Sequence, residues 1–170
     1  LEGTWKSACT SNSSDNSTYA ERLDVFKNTS YTNYEHQYSD SACSTDYASK
    51  RYTYTMAVGS DATMADGATT ATKITITSVG VYITAKTDAL VATLNSNSYC
   101  SATDWAKDVE KDVSSKSTEA TCLDEDDAMG TVYKRVMKVV GTDLWTGVGT
   151  SATDSEGYAT EIEDTGHDKQ

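Results

Sequence analysis

His36 and His167 are the only imidazoles in the 170 residues, and a hydroxyl or thiol nucleophile needs such a base within hydrogen-bond reach. The two stand far apart. His36 falls in a tyrosine-rich run that alternates like a strand, and His167 lies in the polar final stretch. Neither G-x-S-x-G, nor a phosphate-binding Gly-rich loop, nor H-E-x-x-H occurs. Asp and Glu number 26, enough that some pair always falls at a glycosidase separation, so such a pair carries no argument. No catalytic residues, no cofactor and no metal are expected, and the chain reads as a protein without a chemical step.

The run Asp124-Glu125-Asp126-Asp127, followed by Gly130, offers hard oxygen ligands of the kind calcium takes, and Asp61, Asp66 and Gly67 form a weaker second group. Neither has the ligand spacing of an EF-hand loop, and a solvated acidic loop explains both. The net charge of −12, with 14 basic residues scattered among the acids, argues against a nucleic-acid partner, which needs clustered Lys and Arg.

Cys9, Cys43, Cys100 and Cys122 show no C-x-x-C spacing, so an even count in two disulfides is the natural reading. Three pairings are open. Cys9–Cys43 with Cys100–Cys122 is favoured because each closes the shorter segment and joins expected sheet neighbours. An oxidising, extracytoplasmic location follows: secreted, periplasmic or cell-surface. No apolar run of 18 residues occurs that would span a membrane, and the start at Leu1 suits a mature chain whose export signal, or an upstream lipid anchor, has gone. Sequons stand at Asn12, Asn16 and Asn28.

Tyrosine is the more suggestive chemistry. Eleven Tyr stand against one Phe, and Tyr34, Tyr38, Tyr52 and Tyr54 fall on two runs with consistent facing. Inside a barrel these four, with Met56, would line a cavity with rings and hydroxyls suited to a hydrophobic or amphipathic small molecule.

The elements that must position these residues read as strands. Ser and Thr make up 47 of the residues and Pro is absent, a composition suited to pleated surfaces. Strands are predicted at 3–9, 18–26, 29–39, 50–58, 72–78 and 81–86. The run 50–58 has the clearest period of two. In the second strand Tyr19, Leu23 and Val25 share one parity, and Arg22 and Asp24 the other. A short helix is predicted over 88–94 with Asp88 as N-cap. The stretch 101–113 fits either a helix or a strand, strand being preferred. Runs 131–140 and 143–148 form a closing hairpin. The fold expected is all-β: a single antiparallel barrel of about eight strands with one short helix over residues 1–150, a β-sandwich being the alternative. Residues 151–170 read as an acidic, extended, weakly docked tail.

Gly3-Thr4-Trp5 in the first strand resembles the G-x-W signature of the lipocalins and their calycin relatives, and Thr103-Asp104-Trp105 resembles the T-D-Y motif of that family, with Trp in place of Tyr. The resemblance implies a lipocalin-like barrel in which Arg135 packs over Trp5 as a structural cation–π plug. The disulfide pattern differs from the usual bridge of that family. The opening G-T-W-x-S-x-C and the block around 95–105 are also similar to small secreted bacterial proteins, which adds location rather than activity. The function expected is binding of a small hydrophobic or amphipathic ligand. A structural or adhesive surface module is the alternative, and a calcium-stabilised version of it a third.

Overall fold

The computed structural model describes residues 2–11, 17–116, 122, 128–148 and 152–170. Its strands are β1 (Gly3–Ser7), β2 (Thr10–Ser11), β3 (Tyr19–Lys27), β4 (Ser30–Tyr38), β5 (Asp46–Thr63), β6 (Thr70–Ala85), β7 (Glu110–Asp112), β8 (Val132–Val140), β9 (Asp143–Gly147) and β10 (Ile162–Lys169), with the helix α1 (Asp88–Ser96) after β6. Eight of them, β1, β3, β4, β5, β6, β8, β9 and β10, pair antiparallel in chain order, and β10 returns to β1. The result is a closed up-and-down barrel rather than a sandwich, and closure removes the sheet edges that would otherwise template association. The two short strands flank it: β2 pairs with β3, and β7 pairs with the far end of β6 at Tyr82–Thr84, which β8 does not reach.

Turn chemistry fixes the register of two hairpins. Lys27 pairs with Ser30 across a two-residue turn in which Asn28 takes φ 52°, and Val140 pairs with Asp143 across a turn in which Gly141 takes φ 65°. These are the left-handed conformations that tight hairpins require. The runs expected at 72–78 and 81–86 are one strand, β6. Pairing passes from Thr53 opposite Gly80 to Tyr54 opposite Ser78, leaving Val79 unpaired and exposed. This bulge switches the inward parity of β6 from even to odd residues, which is why the sequence reads there as two strands.

The segment beyond residue 150 corrects the expectation of a weakly docked tail. Its residues 162–169 are β10, paired with β9 on one side and with Trp5, Lys6 and Ser7 of β1 on the other. The link before it is tied to the outer wall. Lys73 Nζ stands 2.7 Å from Asp154 Oδ2 and 2.6 Å from Glu156 Oε2, the hydroxyls of Thr75 and Tyr158 lie 2.7 Å apart, and Tyr158, Ala159 and Ile162 pack on Met64, Ala71 and Val136. The acidic composition, which reads as a solvated tail, here supplies partners for a lysine on the wall.

Both disulfides form with the favoured pairing: Cys9–Cys43 and Cys100–Cys122, with Cα separations of 6.0 and 4.3 Å. Bonded cysteines of this kind suggest an oxidising environment. The second bridge belongs to the excursion 86–131 between β6 and β8. There α1 begins at Asp88 as expected, but Thr87, not Asp88, is the N-cap, its hydroxyl accepting from the Leu90 N–H at 3.1 Å. Asp88 then sits in the first turn, where its charge meets the positive end of the helix. The strand preferred over 101–113 is present only at Glu110–Asp112. Cys100, Ser101 and Asp108 take positive φ, which breaks any regular run, and the Asn95 side chain ties down Trp105, accepting from its N–H at 2.8 Å and donating to its carbonyl at 3.1 Å.

Candidate functional site at the open end of the barrel

Register decides what faces inward. On β3 the inward residues are Ala20, Arg22, Asp24 and Phe26; on β4, Tyr31, Asn33, Glu35 and Gln37; on β5, Tyr52, Tyr54 and Met56; on β8, Tyr133, Arg135, Met137 and Val139. The apolar-looking parity of β3, with Leu23 and Val25, therefore faces outward, and the parity that carries a carboxylate faces in.

The set expected to line one cavity is divided by this register. Tyr52, Tyr54 and Met56 do lie on the inner wall. Tyr34 and Tyr38 do not. Tyr34 pairs with Leu23 and Arg51 on the outer wall and its ring lies 6.2 Å from that of His36, nearly parallel to it. Tyr38 donates to Glu21 at 3.0 Å, outside the barrel, beside the Lys6–Glu21 ion pair at 2.9 Å. Burial, and then the Glu21 contact, push its phenol up to about 12. On β4 either parity carries aromatic and polar residues alike, so composition alone does not choose between them.

Three layers fill the inside. At one end Tyr52, Val81, Ile83 and Ala85 are covered by the excursion: Leu94, Trp105, Val113 and the Cys100–Cys122 bridge pack on them as a plug. In the middle Trp5, Phe26, Met56, Ile74, Ile76, Met137 and Leu144 form a buried apolar layer. Rings run around its wall in one chain of contacts. Trp5 meets Phe26 edge-on at 5.5 Å, Phe26 stacks on Tyr31 at 4.7 Å, Tyr31 stacks on Tyr54 at 5.0 Å, and Tyr54 meets Tyr133 edge-on at 6.3 Å. Such contacts add about 0.5–1.5 kcal/mol each beyond area burial.

Between plug and rings lies a polar cluster. Asp24, only 5% exposed, accepts hydrogen bonds from Tyr31 Oη at 2.6 Å and Asn33 Nδ2 at 2.8 Å, both on Oδ1. His167 Nδ1 stands 2.7 Å from Asp24 Oδ2, an ion-pair contact lying off the line of a straight hydrogen bond. Burial drives the Asp24 carboxyl upward, but the contacts from His167, Tyr31 and Asn33 together outweigh it and hold the group below the usual range. Tyr31 is pushed well above its ordinary value by burial first and then by the Asp24 charge, so it remains a donor. His167, which reads as a residue of a polar tail, is thus an interior residue. No local pattern in the sequence around it signals this, because its partner is 143 positions away by subtraction of 24 from 167. A second interior donor, the indole N–H of Trp5, is buried with no acceptor among the described residues.

The end opposite the plug is built differently. Val58 and Val139 sit on inward-facing register positions, yet they are 55% and 39% exposed; Arg135, on the same strand as Val139, is exposed as well. Inward-facing residues open to solvent mark a mouth, and the next inward residues beneath it are the buried Met56, Ile74, Met137 and Leu144. Arg135 does not pack over Trp5 as the resemblance implies. Its guanidinium lies over the ring of Tyr133, 5.3 Å from the centroid, because register with Ile74 puts it on the inner wall of β8, two residues from Tyr133. Trp5 is instead covered by Phe26 and by the backbone of Gly3, where a Cβ would stand 2.9 Å from the indole Cη2. That close approach, at φ +150°, is the physical reason for glycine in this G-x-W.

The other expected sites are scattered. Asp66 accepts from the N–H groups of Ala68 and Thr69, and Asp61 from the Thr72 hydroxyl. The acidic run 124–127 and the sequons at Asn12 and Asn16 lie outside the described residues, while Asn28 occupies the β3–β4 turn. Among the described residues no helix is long and apolar enough to cross a membrane. No protein-family model matches this chain, and no curated protein is similar to it.

Proposed function

We propose that the protein binds a small hydrophobic or amphipathic molecule at the open end of the barrel, without a chemical step. The observation that carries this reading is the exposure of inward-facing Val58 and Val139 above the buried Met56 and Met137. Apolar surface held open to water on a concave wall gains free energy when a ligand covers it, at about 25 cal/mol per Å². Met56 lies directly beneath this wall and Tyr54 deeper, toward the plug; Tyr34 and Tyr38 are on the outer wall. The buried middle layer sets the depth, so the ligand sits in the mouth and not along the whole barrel axis.

The same filled layer favours the second reading, a structural or adhesive extracellular module whose barrel needs no cargo. Native mass spectrometry of protein taken from the organism that makes it, followed by organic extraction, tests the two. A stoichiometric small molecule supports binding, and an empty barrel that assembles with concentration supports the module. Variants sharpen the test. Val58→Glu, at an exposed inner position, abolishes binding of the extracted molecule with little change in melting temperature, whereas Tyr34→Ala on the outer wall leaves binding intact. Equal effects of the two variants would sink the mouth as the site.

A further inference from the structure

We infer that Met56 and Met137 decide which ligand the mouth accepts: they are the yielding part of its floor, which repacks around the end of a linear alkyl chain and stays closed to a rigid ring system. This rests on the reading of the mouth as a binding site. Each exposed valine stands above a methionine two residues back on the same strand, Val58 above Met56 on β5 and Val139 above Met137 on β8. Ile74 and Leu144 complete the floor. The chain has four methionines, and two of them lie in this one buried layer. The others are elsewhere: Met64 packs on the outer wall with Ala71 and Val136, and Met129 packs against the plug cluster.

The floor is uneven in stiffness. Ile74 and Leu144 are 0% and 1% exposed, so neighbours enclose them and moving either disturbs a close-packed interior. Ile74 is also restricted at χ1 by its branched Cβ. Met56 and Met137 are 4% and 5% exposed, which makes them the floor residues that still touch solvent. Their side chains are unbranched, with three rotatable bonds and a polarizable sulfur, and adapt to irregular gaps at little cost. A linear chain is one methylene wide, and its end asks only these two side chains to swing aside. A cage or fused ring is wider and would need Ile74 and Leu144 to give way as well, so it rests above the floor against Val58 and Val139. The chain therefore buries more of its length than a rigid ligand can, down to the limit set by the rest of the layer.

Isothermal titration of the full disulfide-bonded chain with a series of linear 1-alkanols up to decanol, and with 1-adamantanol, tests this. Adamantanol is a rigid cage with the carbon count and the single hydroxyl of decanol. Affinity for the linear alcohols should rise about fourfold per buried methylene. Met56→Ile with Met137→Ile places a side chain stiff at χ1 at both positions; decanol should then bind about 10-fold more weakly, the loss of roughly two buried methylenes, and adamantanol as before. The wild-type chain carrying carbon-13 in its methionine methyl groups gives a second readout, which does not depend on the variant folding. Decanol should shift the Met56 and Met137 methyl signals and leave those of Met64 and Met129 in place. Decanol that binds with the Met56 and Met137 signals unmoved, or a loss in the variant that is equal for decanol and adamantanol at an unchanged melting temperature, overturns the yielding floor while the mouth stands as a site. Binding of neither alcohol overturns the mouth as well.

Discussion

Replacing Asp24 with alanine tests the interior most directly. The carboxylate is 5% exposed and holds three groups: the Tyr31 hydroxyl, the Asn33 amide and the His167 imidazole. Alanine leaves two buried donors without an acceptor and an imidazole, itself 13% exposed, without its counter-group. Removing one partner of such a buried set costs about 3–5 kcal/mol. In a chain of this size about 2–4 °C of melting temperature accompany each kcal/mol, so a fall of roughly 6–20 °C is expected in thermal unfolding followed by circular dichroism under non-reducing conditions. Glu21→Ala is the control. Its ion pair with Lys6 lies on the outer wall with the lysine 40% exposed, and such pairs contribute about 0–1 kcal/mol. The pH dependence gives a second arm. The Asp24 carboxyl is held below its ordinary value of 3.8, so the folded state binds fewer protons than the unfolded state near that pH. Its contribution is therefore fully present well above pH 4 and is lost as pH falls through the lowered folded value. The difference between wild type and Asp24→Ala should be widest near neutrality and shrink below pH 4. A loss under 1 kcal/mol at pH 7, equal to that of Glu21→Ala, would refute the assignment of the cluster as a stabilising interior element.

Three further outcomes follow from other parts of the molecule. Cys100→Ser with Cys122→Ser releases the bridge that closes a 22-residue separation in the plug, and should lower the free energy of unfolding in urea by about 2–4 kcal/mol; an unchanged midpoint would mean that Trp105 and Leu94 hold the plug unaided. Gly3→Ala puts a Cβ 2.9 Å from the Trp5 indole at φ +150° and should cost about 1–3 kcal/mol, with an altered near-ultraviolet spectrum; a wild-type spectrum and melting curve would remove the glycine argument. Ending the chain at residue 161 deletes β10 and exposes the edges of β9 and β1, so the truncated protein should lose cooperative melting and aggregate, whereas a soluble monomer with a sharp transition would show that β10 is dispensable.

Strand identity was legible wherever a local rule governs it. The alternation around Tyr52, Tyr54 and Met56 places these three residues on the inner wall, because period two is a property of consecutive residues. Asn28 and Gly141 mark their turns for the same reason. Facing was not legible on β3 and β4. Leu23 and Val25 look like the buried set, yet Asp24 is the buried residue, and what makes this tolerable is supplied by Tyr31, Asn33 and a histidine on the last strand. The bulge at Val79 also defeats a parity reading, since one unpaired residue inverts every assignment beyond it. The inner wall was half legible: Tyr54 and Met56 were candidates, while Tyr31, Tyr133, Val58 and Val139 become inner-wall residues only once the barrel is closed. Closure itself is the most distant relation in the chain, made between residues 5–7 and 167–169.

That closure explains why a carboxylate and an imidazole lie inside an otherwise apolar barrel. β1 is, with β9, the shortest of the eight barrel strands, and its five residues must hold β3 on one side and β10 on the other. Asp24 lies opposite Trp5 on the β3 side, and His167 lies opposite Ser7 on the β10 side. Their contact at 2.7 Å therefore spans β1 and fastens its two neighbours to each other. A ladder of few hydrogen bonds is the place where a barrel opens first, and a side-chain tie across it adds stability where the backbone supplies least. It also demands geometry that an apolar pair does not. If β10 slips by one residue, the imidazole turns outward and Asp24 is left buried with one partner fewer, so the pair fixes register as well as closure. Seam and plug together commit the polar groups on that side of the barrel to structure. The exposed Val58 and Val139 at the opposite end carry no such task, and that leaves them available to a ligand.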